Sequence, residues 1–222
     1  MGTTSAGCQL LPFEAIEPTT TDRARTVLRR DGLSLPCGGT YYATVRATNC
    51  AGLQRVVTSA SATLCCDAPT MGSVRLVDSQ GEGIRYVGRD GGDFGVTVSW
   101  SGFEDGCAGV RTYEVRFEAS DTSVVWSASL VSAADREVEL PGFVLRALPD
   151  GVTYTVVVVA TSHAALSSQA MATLTIDRTP PLIGRLFTGA LGNTDAACLR
   201  AGSPFLLSWH DVSDTISGID TY

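Results

Sequence analysis

Seven cysteines offer most of the chemistry in this 222-residue chain: Cys8, Cys37, Cys50, Cys65, Cys66, Cys107 and Cys198. None belongs to a Cys-x-x-Cys pair, so a zinc ribbon or a thioredoxin-type redox site lacks its ligands. The spacing instead suits a disulfide framework formed in an oxidising compartment. An odd count leaves one thiol over, and partners beyond the chain would account for it. Met1 to Pro18 hold no basic region followed by an apolar core, so no secretory signal is read there. A start inside a domain reconciles that with the cysteines.

The other reactive side chains point to little chemistry. Glu104-Asp105, Asp211 with Asp214, and Asp90 with Asp93 pair carboxylates near turns, where hard oxygens could hold Ca²⁺. Solvated, turn-forming acids are the better reading, and no metal is assigned. The two histidines, His163 and His210, have neither a Gly-x-Ser-x-Gly elbow nor a His-Glu-x-x-His helix beside them. No catalytic residue, no cofactor and no enzymatic activity are expected. Net charge −7 excludes nucleic acid and an anionic membrane surface as partners. The run Val156 to Ala160 falls far short of the roughly 18 apolar residues of a membrane helix, so no membrane insertion is expected. Asn49 and Asn193 lack the Asn-x-Ser/Thr pattern, while the Ser- and Thr-rich surface could carry O-glycans.

The elements that position these residues are strands. Val96-Val98-Trp100, Tyr113-Val115-Phe117, Tyr154-Val156-Val158-Ala160 and Tyr41-Ala43-Val45-Ala47 alternate with polar or small residues. Such period-2 runs read as half-buried strands. Turn clusters separate them, among them Pro36-Cys37-Gly38-Gly39, Asp90-Gly91-Gly92-Asp93 and Pro149-Asp150-Gly151. An all-β sandwich is the fold class that results.

The pattern repeats. Trp100 to Tyr113 matches Trp209 to Tyr222 at an offset of 109, and Leu35 to Tyr41 matches Leu148 to Tyr154 at 113. Ala47 to Leu53 matches Ala160 to Leu166 at the same 113, and Pro69 with Gly72 matches Pro181 with Gly184 at 112. Three consecutive units are expected: the C-terminal part of one at 1–68, a complete one at 69–179, and the N-terminal part of another at 180–222. The chain then begins and ends inside a unit and is stable only beside its neighbours or in its assembly.

An apolar-x-apolar-x-Trp strand, a Tyr-x-apolar strand and Leu-x5-Tyr-x-Val-x-Val-x-Ala together resemble the fibronectin type III domain. The resemblance covers nearly all of 69–179 and implies tandem Greek-key β-sandwich repeats, fibronectin type III or immunoglobulin-like. It places Trp100 in the second strand, Tyr113 in the third, and Leu148 and Tyr154 at the following corner and strand. Trp209, Leu35 and Tyr41 take the same core roles in the partial units. A unit near 110 residues is long for the family, and residues between Phe117 and Val138, including Trp126, fit an added edge strand.

The resemblance also puts Cys107 in a loop at the pole facing the preceding unit, near the joint holding Cys65 and Cys66. A bridge from Cys107 to either would staple that joint, and the other could reach Cys37. Local pairing, or pairing outside the chain, is the alternative, and Cys50 and Cys198 have no evident partner. The expected function is structural: part of a long extracellular or cell-surface repeat protein acting as spacer, fibre subunit or adhesion stalk, as in a flagellar-hair filament. Its partners would be neighbouring repeats of the same or another chain. The alternatives are a ligand- or glycan-recognition module, for which Phe103 is the chief loop aromatic, and an accessory domain of a secreted polysaccharide-degrading enzyme.

Overall fold

The computed structural model describes residues 1–15 other than Ala6 and Cys8, 29–88, 95–188, and 201–221 other than Ser203 and Pro204. The chain divides into two compact units. One comprises 1–71 with the loop segments 103–112 and 160–168; the other comprises 72–102, 113–159 and 169–222.

Residues 29–71 supply four short strands: β1 (Thr40–Tyr41), β2 (Thr44–Thr48), β3 (Gln54–Thr58) and β4 (Ala62–Thr63). β1 pairs with β4 and β2 with β3, both antiparallel. Tyr41 is buried, but the rest of its alternating run is not: Val45 is 66% exposed. The expected half-buried face therefore lies open. A two-stranded hairpin has no second layer of its own to cover it.

Eight strands and a helix follow: β5 (Ser73–Val77), β6 (Tyr86–Val87), β7 (Val96–Ser101), β8 (Val110–Glu118), β9 (Val124–Ser132), β10 (Glu137–Leu140), α1 (Gly142–Ala147), β11 (Thr153–Ser162) and β12 (Ser167–Ile176). They form a three-stranded sheet in the order β10-β7-β5 and a five-stranded sheet in the order β6-β12-β11-β8-β9. β6 joins β12 in parallel, and β9, which carries Trp126, lies at the opposite edge. The fold is an all-β sandwich. Alternation explains its core: Val96, Val98 and Trp100 from one sheet, and Val115, Phe117, Val156 and Val158 from the other, are all buried. Trp100 meets Tyr113 with ring centroids 5.2 Å apart, and Phe117 stacks on Tyr154 at 5.0 Å.

The last two strands, β13 (Arg185–Thr188) and β14 (Leu207–His210), pair antiparallel. Expected as core, Trp209 is 45% exposed, and among the described residues β13 and β14 form a two-stranded sheet.

Candidate functional site

Four of the cysteines meet around one turn. Gly38 takes a φ of +74°, a conformation glycine adopts without steric cost, and its N–H donates to Leu64 O at 2.8 Å. Leu64 N–H donates back to Gly39 O at 3.0 Å, which draws the chain after β4 alongside the turn. The Tyr41 hydroxyl donates to Pro36 O at 3.0 Å, a corner lock of the immunoglobulin-like kind. Cys66 is bonded to Cys37 with Cα atoms 5.8 Å apart, and Cys65 to Cys107 with Cα atoms 5.7 Å apart. Adjacent residues thus face different partners.

Cys107 rides on a loop built to hold it. The Asp105 carboxylate accepts the N–H groups of Cys107 at 2.9 Å and Ala108 at 2.7 Å. Those bonds, that from Ala108 first, hold the Asp105 carboxyl below its usual value, with the Ser162 hydroxyl assisting. Thr70 N–H donates to Glu104 O at 2.7 Å, and His163 N–H to Gly109 O at 3.1 Å, fixing both sides of the loop. Asp105 is a structural acceptor here, as its turn-forming reading implies.

The same backbone recurs about 110 residues later with different side chains. Gly151 has a φ of +73° and donates to Ile176 O at 2.8 Å, while Ile176 N–H donates to Val152 O at 3.0 Å. Asp150 stands at the position of Cys37 (offset 113) and Arg178 at that of Cys66 (offset 112). Arg178 N–H donates to one Asp150 oxygen at 2.6 Å, and the Thr179 hydroxyl to the other at 2.9 Å. The Arg178 guanidinium donates to Leu148 O at 2.6 Å and Leu145 O at 2.8 Å, taking up carbonyls at the C-terminal end of α1. Asp150 is held below its usual value, by the Arg178 N–H first and then by the Thr179 hydroxyl. The loop after β14 also copies its counterpart: Asp214 accepts Ile216 N–H at 3.0 Å and Ser217 N–H at 2.9 Å.

Trp100, Tyr113, Leu148 and Tyr154 are buried, while Leu35 is half-buried. Cys50 is an exposed free thiol. Cys8, Cys198, Asp90, Asp93 and Tyr222 lie outside the described residues. Phe103 is only 6% exposed, so the loop aromatic on which a recognition role would lean faces inward. His210 sits at the surface, 2.7 Å from the Asp211 carboxylate and stacked on Phe187. Among the described residues, no group of three or more His, Cys, Asp or Glu could hold a metal ion, and no helix is long and apolar enough to cross a membrane. The residues missed from sequence were Asp150, Arg178 and Thr179. The repeat offset that superimposes them on Cys37 and Cys66 was the available signal.

No protein-family model and no curated protein matches the chain. Among solved structures it is similar to a Ca²⁺-stabilised adhesin with which an Antarctic bacterium binds ice, at 17% identity and a TM-score of 0.33 over 68% of this chain and 34% of that one. A 1.5-MDa bacterial ice-binding adhesin gives 18% and 0.33, covering 68% and 45%. The FN1–FN3 domains of chicken CNTN1 give 20% and 0.34, covering 65% and 46%. The chain thus spans less than half of each of these proteins' chains, and likenesses at this level carry no conclusion about activity.

Proposed function

We propose that the chain is a non-catalytic structural segment of a long extracellular repeat protein, with fibronectin type III-like units at 1–68, 69–179 and 180–222, serving as spacer, fibre subunit or adhesion stalk. One observation carries this reading: Cys37–Cys66 and Cys65–Cys107 tie the turn at 36–39, the adjacent residues 65 and 66 and the loop carrying Cys107 into one covalent group. Two bonds meeting at adjacent residues stiffen the chain where, on this reading, one repeat passes into the next, as a load-bearing or length-setting array requires. Disulfides of this kind persist outside the cytosol. The backbone match at the following joint supports a serial design, and the buried Phe103 leaves the recognition reading without its aromatic.

The test is limited proteolysis of intact cells that produce the protein, followed by peptide mapping without reduction. The expected result is release from unlysed cells of peptides in which Cys37 is joined to Cys66 and Cys65 to Cys107. Free thiols at these four positions, or release only after lysis, would overturn the proposal.

A further inference from the structure

The sandwich of β5 to β12 has two sheets and so four strand edges, three of which are blunted. A bare edge offers unpaired N–H and C=O groups to any arriving strand, so short strands, charges or a covering segment usually guard it. β6 is only two residues long. β10 carries Glu137 and Glu139 among its four residues. β5 carries Arg75, and the chain folds back along it: Ile84 N–H donates to Leu76 O at 2.9 Å, and Gly83 bridges to Val77. β9 has none of these devices. It runs for nine residues without charge, proline or glycine, and among the described residues no strand pairs with its outer side. Val124 and Val125 stand exposed at its start.

β9 is also its own complement. From Ala128 the residue types run alike in both directions: Ser127 and Ser129, Trp126 and Leu130, Val125 and Val131. An antiparallel copy centred on Ala128 sets serine opposite serine, valine opposite valine and Trp126 opposite Leu130. Ser127 and Ser129 are exposed while Trp126 and Ala128 are half-buried, so the pairing continues each face of the sheet in kind. We infer that β9 pairs antiparallel with β9 of a second copy about a two-fold axis at Ala128, joining the two five-stranded sheets into one. The mirror order is what singles out a second copy over any other extended segment. The whole chain carries a net charge of −7, but β9 itself holds no charge to repel its copy. Such a contact uses the same patch on both chains and closes at two. It rests on β5 to β12 alone, so neither the repeat reading nor either end of the chain enters.

Sedimentation velocity on the oxidised 222-residue chain tests the pairing, with Cys50→Ser in every sample to remove dimers linked through that thiol. The mass of this parent should rise with concentration and level off at twice 23.3 kDa. Ser127→Lys with Ser129→Lys places like charges opposite each other across the axis and should hold the chain at a monomer, a twofold fall in mass. Ser127→Glu with Ser129→Glu should do the same. Mixed in equal amounts, the two variants should recover a one-to-one dimer, because each lysine then meets a glutamate. Recovery also shows that both variants are folded. A parent that stays monomeric at every concentration would overturn the inference. So would a lysine variant that dimerises as the parent does, a mixture that stays monomeric, or growth past two chains.

Discussion

The turn at Pro36–Gly39 and the turn at Pro149–Val152 have one backbone and two ways of fastening it. Both place a glycine at a φ near +74° (Gly38 +74°, Gly151 +73°), and both glycine N–H groups reach a carbonyl at 2.8 Å. At the first turn the segment after β4 is held by the Cys37–Cys66 bond. At the second the same two positions hold Asp150 and Arg178, joined through a backbone N–H, with Thr179 on the free carboxylate oxygen. The loops differ in parallel: Cys107 is covalently held, and Ile216, its counterpart at offset 109, lies against the second turn, its Cδ1 3.8 Å from where a Gly151 Cβ would stand. The backbone geometry therefore does not depend on the fastening. A disulfide restricts the unfolded chain and ignores pH near neutrality, whereas a carboxylate acceptor works only while ionised.

Removing the covalent fastening should have the largest effect. Cys37→Ser with Cys66→Ser opens a link of sequence separation 29 and is expected to cost about 2–4 kcal/mol. Differential scanning calorimetry should show a lower transition for the first unit, with the Asp150 turn unchanged. If the two turns are equivalent, the fastenings should also be exchangeable. Asp150→Cys with Arg178→Cys is expected to oxidise to a third disulfide and to stabilise the second turn by up to about 2–4 kcal/mol, less whatever the lost Arg178 bonds to α1 had contributed. Intact-mass analysis without reduction reads it directly. Two persistent free thiols there would break the comparison.

Much of this was legible in the sequence, and the reason is period. The sandwich of β5 to β12 follows from alternation because both of its sheets are present, so each inward residue finds a facing layer. The same alternation at Tyr41 to Ala47 and around Trp209 yields two-stranded pairings, and there Val45 and Trp209 are exposed where a core position was expected. The four bridged cysteines stand out because cysteine is rare and its chemistry narrow. Asp150 and Arg178 did not, since an acid in a turn and an arginine beside a proline have a bland reading everywhere. Only superposition on Cys37 and Cys66 gives them a role. α1 carries too few residues for a helical period to register.

The polar fastening should also betray itself by its pH dependence. The Asp150 carboxyl is held below its usual value in the folded chain. Its stabilising share is therefore complete above the unfolded value near ~3.9 and is lost as pH falls through the lower, folded value. Asp150→Ala should lower the thermal midpoint at neutral pH, by less than the cysteine double variant does, and the gap between variant and wild type should close as pH falls below the unfolded value. Asp105 and Asp214 are depressed by the same kind of N–H bonds, so the wild type keeps some acid sensitivity and the difference curve is what isolates Asp150. A gap that stays constant down to acid pH would show that Asp150 acts through packing rather than charge.

Ile216 should produce the smallest change and the sharpest distinction. Cys107 is fixed by a bond, whereas Ile216 has only contact to offer, and its side chain is half-buried. Truncation by Ile216→Ala removes three carbons from a partly covered site, which at about 0.8 kcal/mol per fully buried methylene amounts to about 1 kcal/mol. The Asp214 acceptor stays in place and keeps the loop backbone, since its bonds run to main-chain N–H groups at 216 and 217. Urea unfolding should therefore shift slightly in midpoint with no change in slope. A loss comparable to that of the Cys37–Cys66 bond would mean that apolar contact at the second turn does the whole work of a cross-link, and that the Asp150–Arg178 pairing is secondary to it.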